Sequence, residues 1–221
     1  KGLGDNALAA VGNMSSLTFL IIGFSMGLAN GFSVSIAQNF GAKNYEALRR
    51  SIASSIVLSG IIAVILTFLS TFFLLPILNL IRTDETIIAD SLKYGYIIFG
   101  GLAATIAYNL CACILRALGD SKTPFIAIII STILNIILNC VFIFGFGTGV
   151  EGAAAATIVS QLLSTAICLV RLRKIDVIRL SAADFRNNTA MYAELFRNGL
   201  PMALMNSITA VGCMVVQYFV N

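Results

Sequence analysis

Six long stretches of the chain contain no charged residue, and short clusters of charged residues separate them. A helix of about 20 apolar residues is long enough to cross the hydrocarbon core of a bilayer. Each stretch reaches or nearly reaches that length, so the pattern predicts an all-α polytopic membrane protein with six transmembrane helices. The charge-free stretches are residues 6–42, 51–81, 94–115, 123–150, 152–170 and 198–221.

Glycine and capping residues add detail to these helices. Gly23, Gly27 and Gly31 recur every four residues, which would let a neighbouring helix approach the first one closely. In the turn "LGDSKTP", either Asp120 or Ser121 is placed to cap the fourth helix. The predicted helices cover about residues 8–38, 51–80, 88–117, 123–145 and 152–170, and the last one begins near residue 195.

The distribution of basic residues predicts which connections are cytoplasmic. If six helices cross in turn, the connections on one side carry eleven Lys or Arg residues and those on the other side carry three. By the positive-inside rule, the richer set (residues 43–50, 116–122 and 171–197) is cytoplasmic. The basic clusters are therefore topology signals, and no nucleic-acid partner is expected. Within the last connection, part of the polar run 171–194 is expected to lie along the membrane surface as a helix.

Composition argues against a membrane enzyme. The sequence has no histidine, which excludes imidazole catalysis and a His-ligated metal within this chain. The five cysteines form no C-x-x-C pair and are expected to act as packing residues. Only 11% of the residues are charged, and all ten acidic residues lie in connections or at helix ends. The chain also lacks a phosphate-binding loop, so no catalytic residue is assigned.

Neutral polar residues inside the predicted helices are the candidate functional groups. Asn135 and Asn139 are four residues apart and therefore share one face of a helix. Such groups either hydrogen-bond between helices or line a polar pocket that contains water. The candidate cavity residues are Gln38, Tyr108, Asn109, Asn135, Asn139, Thr157, Gln161 and Gln217.

Four stretches together resemble the MATE family of multidrug efflux transporters. They occur in the family's order and span essentially the whole chain. The stretches are "ALAAVGNMSSLTFLIIGFSMGLANGFSVSIAQNFGAKNYEALRR" at 7–50, "LRALGDSKTP" at 115–124, "NIILNCVFIFGFGTGVEGAAAATIVSQ" at 135–161 and "NGLPMALMN" at 198–206.

The resemblance implies a twelve-helix transporter of two six-helix lobes in the plasma membrane, of which this chain looks like helices two to seven. Residues 1–170 would be most of the N-terminal lobe without its first helix, 171–194 the cytoplasmic linker between the lobes, and 195–221 the first helix of the C-terminal lobe. The implied activity is efflux of cationic or amphipathic drugs in exchange for Na⁺ or H⁺, by alternating access. The implied partners are a small-molecule drug, membrane lipid and the remainder of the polypeptide.

The resemblance also implies a coupling-ion site, in which this sequence departs from many members of the family. Those members carry Asp where this chain has Asn139, while Asn135 and Thr157 match polar positions of the site and Asn109 lies near a third. A second branch of the family has Glu where this chain has Thr209. A Na⁺ ion near Asn135, Asn139 and Thr157 is therefore an expectation, with no other cofactor. Coupling would then depend on a carboxylate outside this chain.

Two other interpretations remain open. A lipid-linked oligosaccharide flippase of the same superfamily would share the architecture, but it should place several Arg or Lys residues in its cavity to hold a pyrophosphate. No basic residue of this chain lies in the middle of a predicted helix. A non-transporting membrane scaffold subunit would suit the small-residue stripe but not a polar interior face.

Overall fold

The computed structural model describes residues 5–80, 83–185 and 189–220, and the side chains in these ranges except those of residues 5–8, 214 and 217–220. The described residues form helices joined by short connections and include no strand, which confirms the predicted all-α class. In chain order the helices are α1 (Asp5–Gly41), α2 (Tyr45–Phe72), α3 (Leu74–Leu80), α4 (Glu85–Gly100), α5 (Leu102–Ala117), α6 (Lys122–Cys140), α7 (Gly149–Arg173) and α8 (Thr189–Val220).

Four segments within the described residues are long and apolar enough to cross a membrane, or five if the bent pair α4 and α5 forms one span. Three of the segments are α1, α2 and α7. The fourth is α6 together with the π-helical turn Val141–Gly145, which continues α6. The sixth predicted span, in α8, is not among them over its described part. The observed architecture therefore supports a multi-pass membrane protein but not the full count of six.

The second predicted helix is broken, which corrects the expectation of one helix over residues 51–80. Helix α2 ends at Phe72 and α3 begins at Leu74. Pro76 provides the reason, because its ring clashes with the carbonyl four residues earlier, that of Phe72, and it has no N–H to donate. The restart lets Leu74 and Leu78 bury their side chains fully in the core.

The third predicted helix, residues 88–117, is also two helices, because α4 and α5 meet at an angle of 46°. The break lies at Gly100 and Gly101, and a pair of small residues is a common cause of a sharp kink. The side chain of Ile158 on α7 occupies the space beside Gly101, where a Cβ would lie 3.0 Å from Ile158 Cγ2 and closer still to two other atoms of that side chain. A larger residue at position 101 would therefore push α7 away from the bend.

Helix α1 is the centre of the bundle and packs against α8, α5, α2 and α4. Two glycines of the predicted stripe make the contact with α8 close: a Cβ on Gly27 would lie 2.5 Å from the Cα of Ala203, and one on Gly31 would clash with the backbone of Gly199. Gly23 has open space at its Cβ position, but its carbonyl accepts a hydrogen bond from Asn206 Nδ2 at 3.2 Å. The predicted close approach is thus confirmed at two of the three glycines.

Asp120, and not Ser121, caps α6. The Asp120 carboxylate accepts hydrogen bonds from the backbone N–H of Thr123 at 3.0 Å and from its hydroxyl at 2.8 Å. It also accepts one from Arg171 Nε at 2.8 Å, which joins the start of α6 to the end of α7. The bond from Arg171 contributes most to lowering the pKa of Asp120 from 3.8 to about 2. The carboxylate is therefore charged at any physiological pH.

The connection between α7 and α8 contains two short 3₁₀ turns, Asp176–Ile178 and Ala182–Phe185, and not the expected surface α-helix in its described part. Ile178 packs against Leu48 and Ile52 of α2 in a hydrophobic cluster. Asp184 accepts a hydrogen bond from the Ser181 backbone N–H at 2.7 Å, which lowers the pKa of Asp184, and it lies 3.7 Å from Arg49. These contacts hold the connection against the start of α2.

Candidate functional site

The polar face of α6 meets α7 in a chain of hydrogen bonds. Asn139 Nδ2 donates to Asn135 Oδ1 at 2.9 Å, and Asn135 Nδ2 donates to Thr157 Oγ1 at 3.4 Å. The Thr157 hydroxyl donates in turn to the carbonyl of Ala153, one turn earlier on α7, at 3.0 Å. The structure therefore brings together three of the residues singled out from the sequence. We call Asn135, Asn139 and Thr157 the amide–hydroxyl chain.

Two further bonds hold α6 to α7 nearer the start of α6. Ser131 Oγ donates to the carbonyl of Ser160 at 2.8 Å, and Ser164 Oγ donates to the carbonyl of Ala127 at 3.3 Å. Both serines are buried. The face of α6 that meets α7 is thus polar along several turns, and the helix pair is joined by hydrogen bonds to backbone carbonyls as well as by the amide–hydroxyl chain.

Three buried polar atoms around this helix pair have no hydrogen-bond partner among the described residues. They are Asn139 Oδ1, Gln161 Oε1 and Asn109 Nδ2. Gln161 lies one turn beyond Thr157 on α7. Asn109 lies on α5, which α7 contacts through the bond from Thr165 Oγ1 to the carbonyl of Ala104 at 3.2 Å. Burying an unpaired polar group costs about 1–3 kcal/mol, so these atoms are where a ligand, an ion or water would gain most.

The remaining predicted residues are placed differently. The hydroxyl of buried Tyr108 donates to the carbonyl of Pro124 at 3.3 Å and so joins α5 to the start of α6. Gln38 is exposed near the end of α1. Gln217 is not among the residues whose side chains the structure describes. Neither Tyr108 nor Gln38 joins the amide–hydroxyl chain.

A second polar cluster, between α1 and α8, was missed at the level of sequence. Ser35, which is fully buried, donates to Glu194 Oε1 at 2.8 Å and accepts from Asn198 Nδ2 at 3.0 Å. Glu194 was predicted to lie in a connection, whereas the structure places it in the second turn of α8. The spacing of Glu194 and Asn198 by four residues was the available signal, because it puts both on one helix face.

The site is electrically neutral. Helix α6 carries no charged residue after Lys122, and α7 carries none between Glu151 and Arg171. Within the described part of the chain, no group of three or more His, Cys, Asp or Glu side chains could hold a metal ion. Amide and hydroxyl groups can bind water, a polar ligand or a hard cation through oxygen, but they do not gain or lose protons near neutral pH.

Over the described residues, the fold and the site define an all-helical, multi-pass membrane protein with a polar, uncharged face between α6 and α7. Comparison with known proteins then gives the family. The family described as MatE matches residues 1–141, more than half of the chain, and the chain therefore belongs to the MatE family. This finding confirms the resemblance noted from the sequence.

Individual relatives agree with this assignment. The chain is 34% identical to the "Probable multidrug resistance protein YoeA" of Bacillus subtilis over 100% of the chain and 50% of that protein. It is 27% identical to the "FAD transporter" of Shewanella oneidensis over 97% of the chain and 48% of that protein. A solved inward-facing multidrug resistance MATE family transporter of the MOP superfamily superposes with a TM-score of 0.89 at 27% identity, covering 95% of this chain and 48% of that one. The chain thus spans about half the length of the relatives it matches.

Proposed function

We propose that this chain is part of a secondary active transporter that exports cationic or amphipathic drugs in exchange for Na⁺ or H⁺. In this proposal the chain provides six spans, helices two to seven of twelve. Residues 1–170 belong to the first lobe, 171–194 to the linker and 195–221 to the second lobe. The observation that carries the proposal is the amide–hydroxyl chain together with the unpaired buried oxygens of Asn139 and Gln161, in a member of the MatE family whose named relatives include multidrug resistance proteins.

The proposed topology places residues 43–50, 116–122 and 171–197 in the cytoplasm and the protein in the plasma membrane. The excess of basic residues in these connections supports the orientation. The bond between Arg171 and Asp120 supports placing two of these three connections on the same side of the membrane, because it joins them directly. A transport cavity between the lobes would then open alternately to the two sides of the membrane.

In the proposed exchange, the coupling ion is itself a transported substrate. Na⁺ is a hard cation that prefers oxygen ligands, and carbonyl oxygens hold Na⁺ in other membrane transporters. Asn139 Oδ1 and Gln161 Oε1 are buried oxygens of this type with no partner among the described residues. They supply no negative charge and cannot carry a proton. In either coupling mode, we therefore propose that a carboxylate elsewhere in the full polypeptide completes the site.

The test is drug efflux by the full-length protein in vesicles. Replacing Asn139 by leucine removes the unpaired oxygen and the bond to Asn135, and we expect the initial rate of efflux to fall at least tenfold at unchanged expression. Thr132→Val is the matched control, because among the described residues the Thr132 hydroxyl bonds only to the carbonyl of Ile128 on its own helix, and its side chain is exposed. Wild-type efflux by Asn139→Leu would contradict the assigned role of the site.

The coupling ion is tested in the same vesicles at fixed pH. Efflux driven by an imposed Na⁺ gradient indicates Na⁺ coupling, and efflux driven only by a pH gradient indicates proton coupling. Neutralising each carboxylate of the remaining membrane helices should abolish transport driven by either gradient. If transport against a gradient survives with all of them neutralised, the proposal that a carboxylate outside this chain completes the site is wrong.

The two rival functions have less support. A flippase for a pyrophosphate-linked lipid needs basic side chains in its cavity, and none flanks the amide–hydroxyl chain on α6 or α7. A non-transporting scaffold gains nothing from buried, unpaired amide oxygens, which lower its stability. The remainder of the reading frame separates the transporter from the scaffold, because a second set of six spans is not expected of a scaffold subunit. Basic residues in the cavity of the full-length protein would instead favour the flippase.

A further inference from the structure

An apolar groove follows the surface of the bundle on the side of α2 and α5. Its wider part has a volume of about 830 Å³ and lies between α2, the α4–α5 bend and α5. A second part, of about 570 Å³, lies between α2, α5, α7 and the connection that follows α7. Ile56, Ala107 and Leu110 line both parts, so the two volumes form one continuous groove. We call it the α2–α5 groove.

The α2–α5 groove is open to the surroundings of the bundle and is separate from the amide–hydroxyl chain. Val64, Phe68 and Phe72 line it and are 71%, 66% and 67% exposed, respectively. None of the residues of the amide–hydroxyl chain lines it. Apart from four Ser or Thr hydroxyls, the wide part and the middle of the groove are lined by apolar side chains and glycines. This composition suits a hydrocarbon chain.

One end of the groove is positively charged. Arg173, at the end of α7, and Arg179, six residues later, line the narrower part. Arg173 forms no ion pair with the described residues. Arg179 pairs with Asp176 at 2.9 Å, but the two side chains are 78% and 82% exposed, and a pair so exposed contributes little. Both guanidinium groups are therefore available to an anion at the mouth of the groove.

We propose that the α2–α5 groove binds an anionic phospholipid of the surrounding bilayer. An acyl chain lies along α2 and α5 from Leu110 to Phe68, and the headgroup phosphate lies between Arg173 and Arg179. Charge complementarity selects this occupant, because an uncharged hydrocarbon or an apolar helix would leave Arg173 without an ionic partner and Arg179 with only its exposed pair to Asp176. Arginine suits the headgroup, since its planar fork of donors matches phosphate oxygens in pairs. This lipid site requires only that the chain lies in a bilayer, and it does not rest on the proposed transport activity.

The test is native mass spectrometry of the full-length protein in neutral detergent, titrated with phosphatidylglycerol or phosphatidylcholine of identical acyl chains. The wild-type protein should bind phosphatidylglycerol in preference to phosphatidylcholine. An arginine near a membrane surface strengthens binding of an anionic lipid roughly fivefold, so Arg173→Gln with Arg179→Gln should weaken phosphatidylglycerol binding about 30-fold. Binding of phosphatidylcholine should weaken less, because its choline cation offsets the phosphate charge that attracts the arginines.

Two further variants separate the groove from the charge. Gly60 lines the wide part, and a Cβ there meets no atom within 4 Å, so Gly60→Leu fills the groove without a clash. It should reduce the binding of both lipids while leaving the preference for phosphatidylglycerol intact. Lys174→Gln is the matched charge control, because Lys174 is exposed beside Arg173 but does not line the groove. It should leave both affinities within twofold of the wild type.

Several outcomes would overturn the proposal. An unchanged lipid preference in the double arginine variant would show that the headgroup lies elsewhere. Equal losses from Lys174→Gln and from the arginine substitutions would show non-specific attraction by surface charge. Absence of any bound lipid in the wild-type protein, or unchanged binding in Gly60→Leu, would show that another part of the polypeptide covers the groove. None of these experiments measures drug efflux. A negative result would therefore overturn the lipid site without bearing on the proposed transport function.

Discussion

The contact between α1 and α8 and the contact between α6 and α7 join helices by different means. Between α1 and α8, Gly27, Gly31 and Gly199 bring the backbones together, and Leu28 and Phe32 pack against Leu195 and Ala203. Between α6 and α7, serine side chains donate hydrogen bonds to backbone carbonyls, and an asparagine side chain donates to the Thr157 hydroxyl. Of the most apolar stretch of each helix, 44% is buried inside the bundle in α1 but only 11% in α6.

The difference shows how this chain holds helices together where water does not drive association. Lipid tails are as apolar as leucine, so burying more isoleucine on α6 would bring little gain, and the isoleucines of α6 remain on its outer face. Helix pairs in such surroundings depend on close packing of small residues or on hydrogen bonds between helices. The α1–α8 pair combines both, and the α6–α7 pair depends mainly on the second. The two contacts should therefore respond differently to substitution.

The largest expected effect comes from adding one methyl group between α1 and α8. In Gly31→Ala the new Cβ would clash with the backbone of Gly199, and backbone cannot move aside as a side chain can. We expect a loss of about 1–3 kcal/mol in the stability of the full-length protein, the usual cost of overpacking. The measurement is the thermal unfolding midpoint in detergent.

Gly23→Ala makes the same chemical change on the same helix and serves as the control. Within the described part of the chain, a Cβ at position 23 meets no atom within 4 Å. We expect unchanged or slightly higher stability, because alanine favours a helix interior by up to about 1 kcal/mol over glycine. Equal losses in Gly23→Ala and Gly31→Ala would show that the α1–α8 contact is not as close as described.

A smaller effect is expected where α6 begins. Asp120→Ala removes the cap of α6 and its bond to Arg171, and the loss of a cap costs about 0.5–2 kcal/mol. Arg171→Gln removes only the ion pair, which is half exposed and should contribute less than about 1 kcal/mol. Thermal unfolding of both variants should rank Asp120→Ala as the less stable. The reverse order would mean that the ion pair, and not the cap, positions α6.

The smallest expected effect is the coupling between Asn135 and Thr157. Their bond is long, at 3.4 Å, and hydrogen bonds between membrane helices average about 0.6 kcal/mol. A double-mutant cycle with Asn135→Leu and Thr157→Val should give a coupling energy of that size in unfolding experiments. A coupling above about 2 kcal/mol would indicate that these residues primarily stabilise the α6–α7 pair, and it would weaken the case for a binding site.

Much of the helical architecture was predictable from the absence of charges. The predicted helices at 8–38, 123–145 and 152–170 end within three residues of the observed segments Asp5–Gly41, Lys122–Gly145 and Gly149–Arg173. The break at Gly101 was missed, although the Gly100–Gly101 pair was visible. Pro76 marked a place where a kink or a helix end would be tolerated, but the predicted helix still ran on to residue 80. Proline and glycine leave a charge-free stretch free of charge, because they alter backbone geometry without altering polarity. The absence of charges therefore does not reveal the breaks that they cause.

Of the candidate site, the sequence predicted the faces but not the partners. The four-residue spacing placed Asn135 and Asn139 together, since that relation depends on helix geometry alone. The bond to Thr157, the unpaired state of Gln161 Oε1 and the position of Glu194 against Ser35 each depend on another helix. No local pattern contains that information.

That this protein enters a membrane, and roughly where its helices lie, follows from local composition, because the free energy of transfer into lipid accumulates residue by residue along the chain. The bends in the helices, the pairing of the polar atoms and the position of an apolar groove beside two arginines follow from how the helices pack. These features depend on distances of a few ångströms between residues far apart in the sequence. At such distances, a shift of one ångström makes or breaks a hydrogen bond.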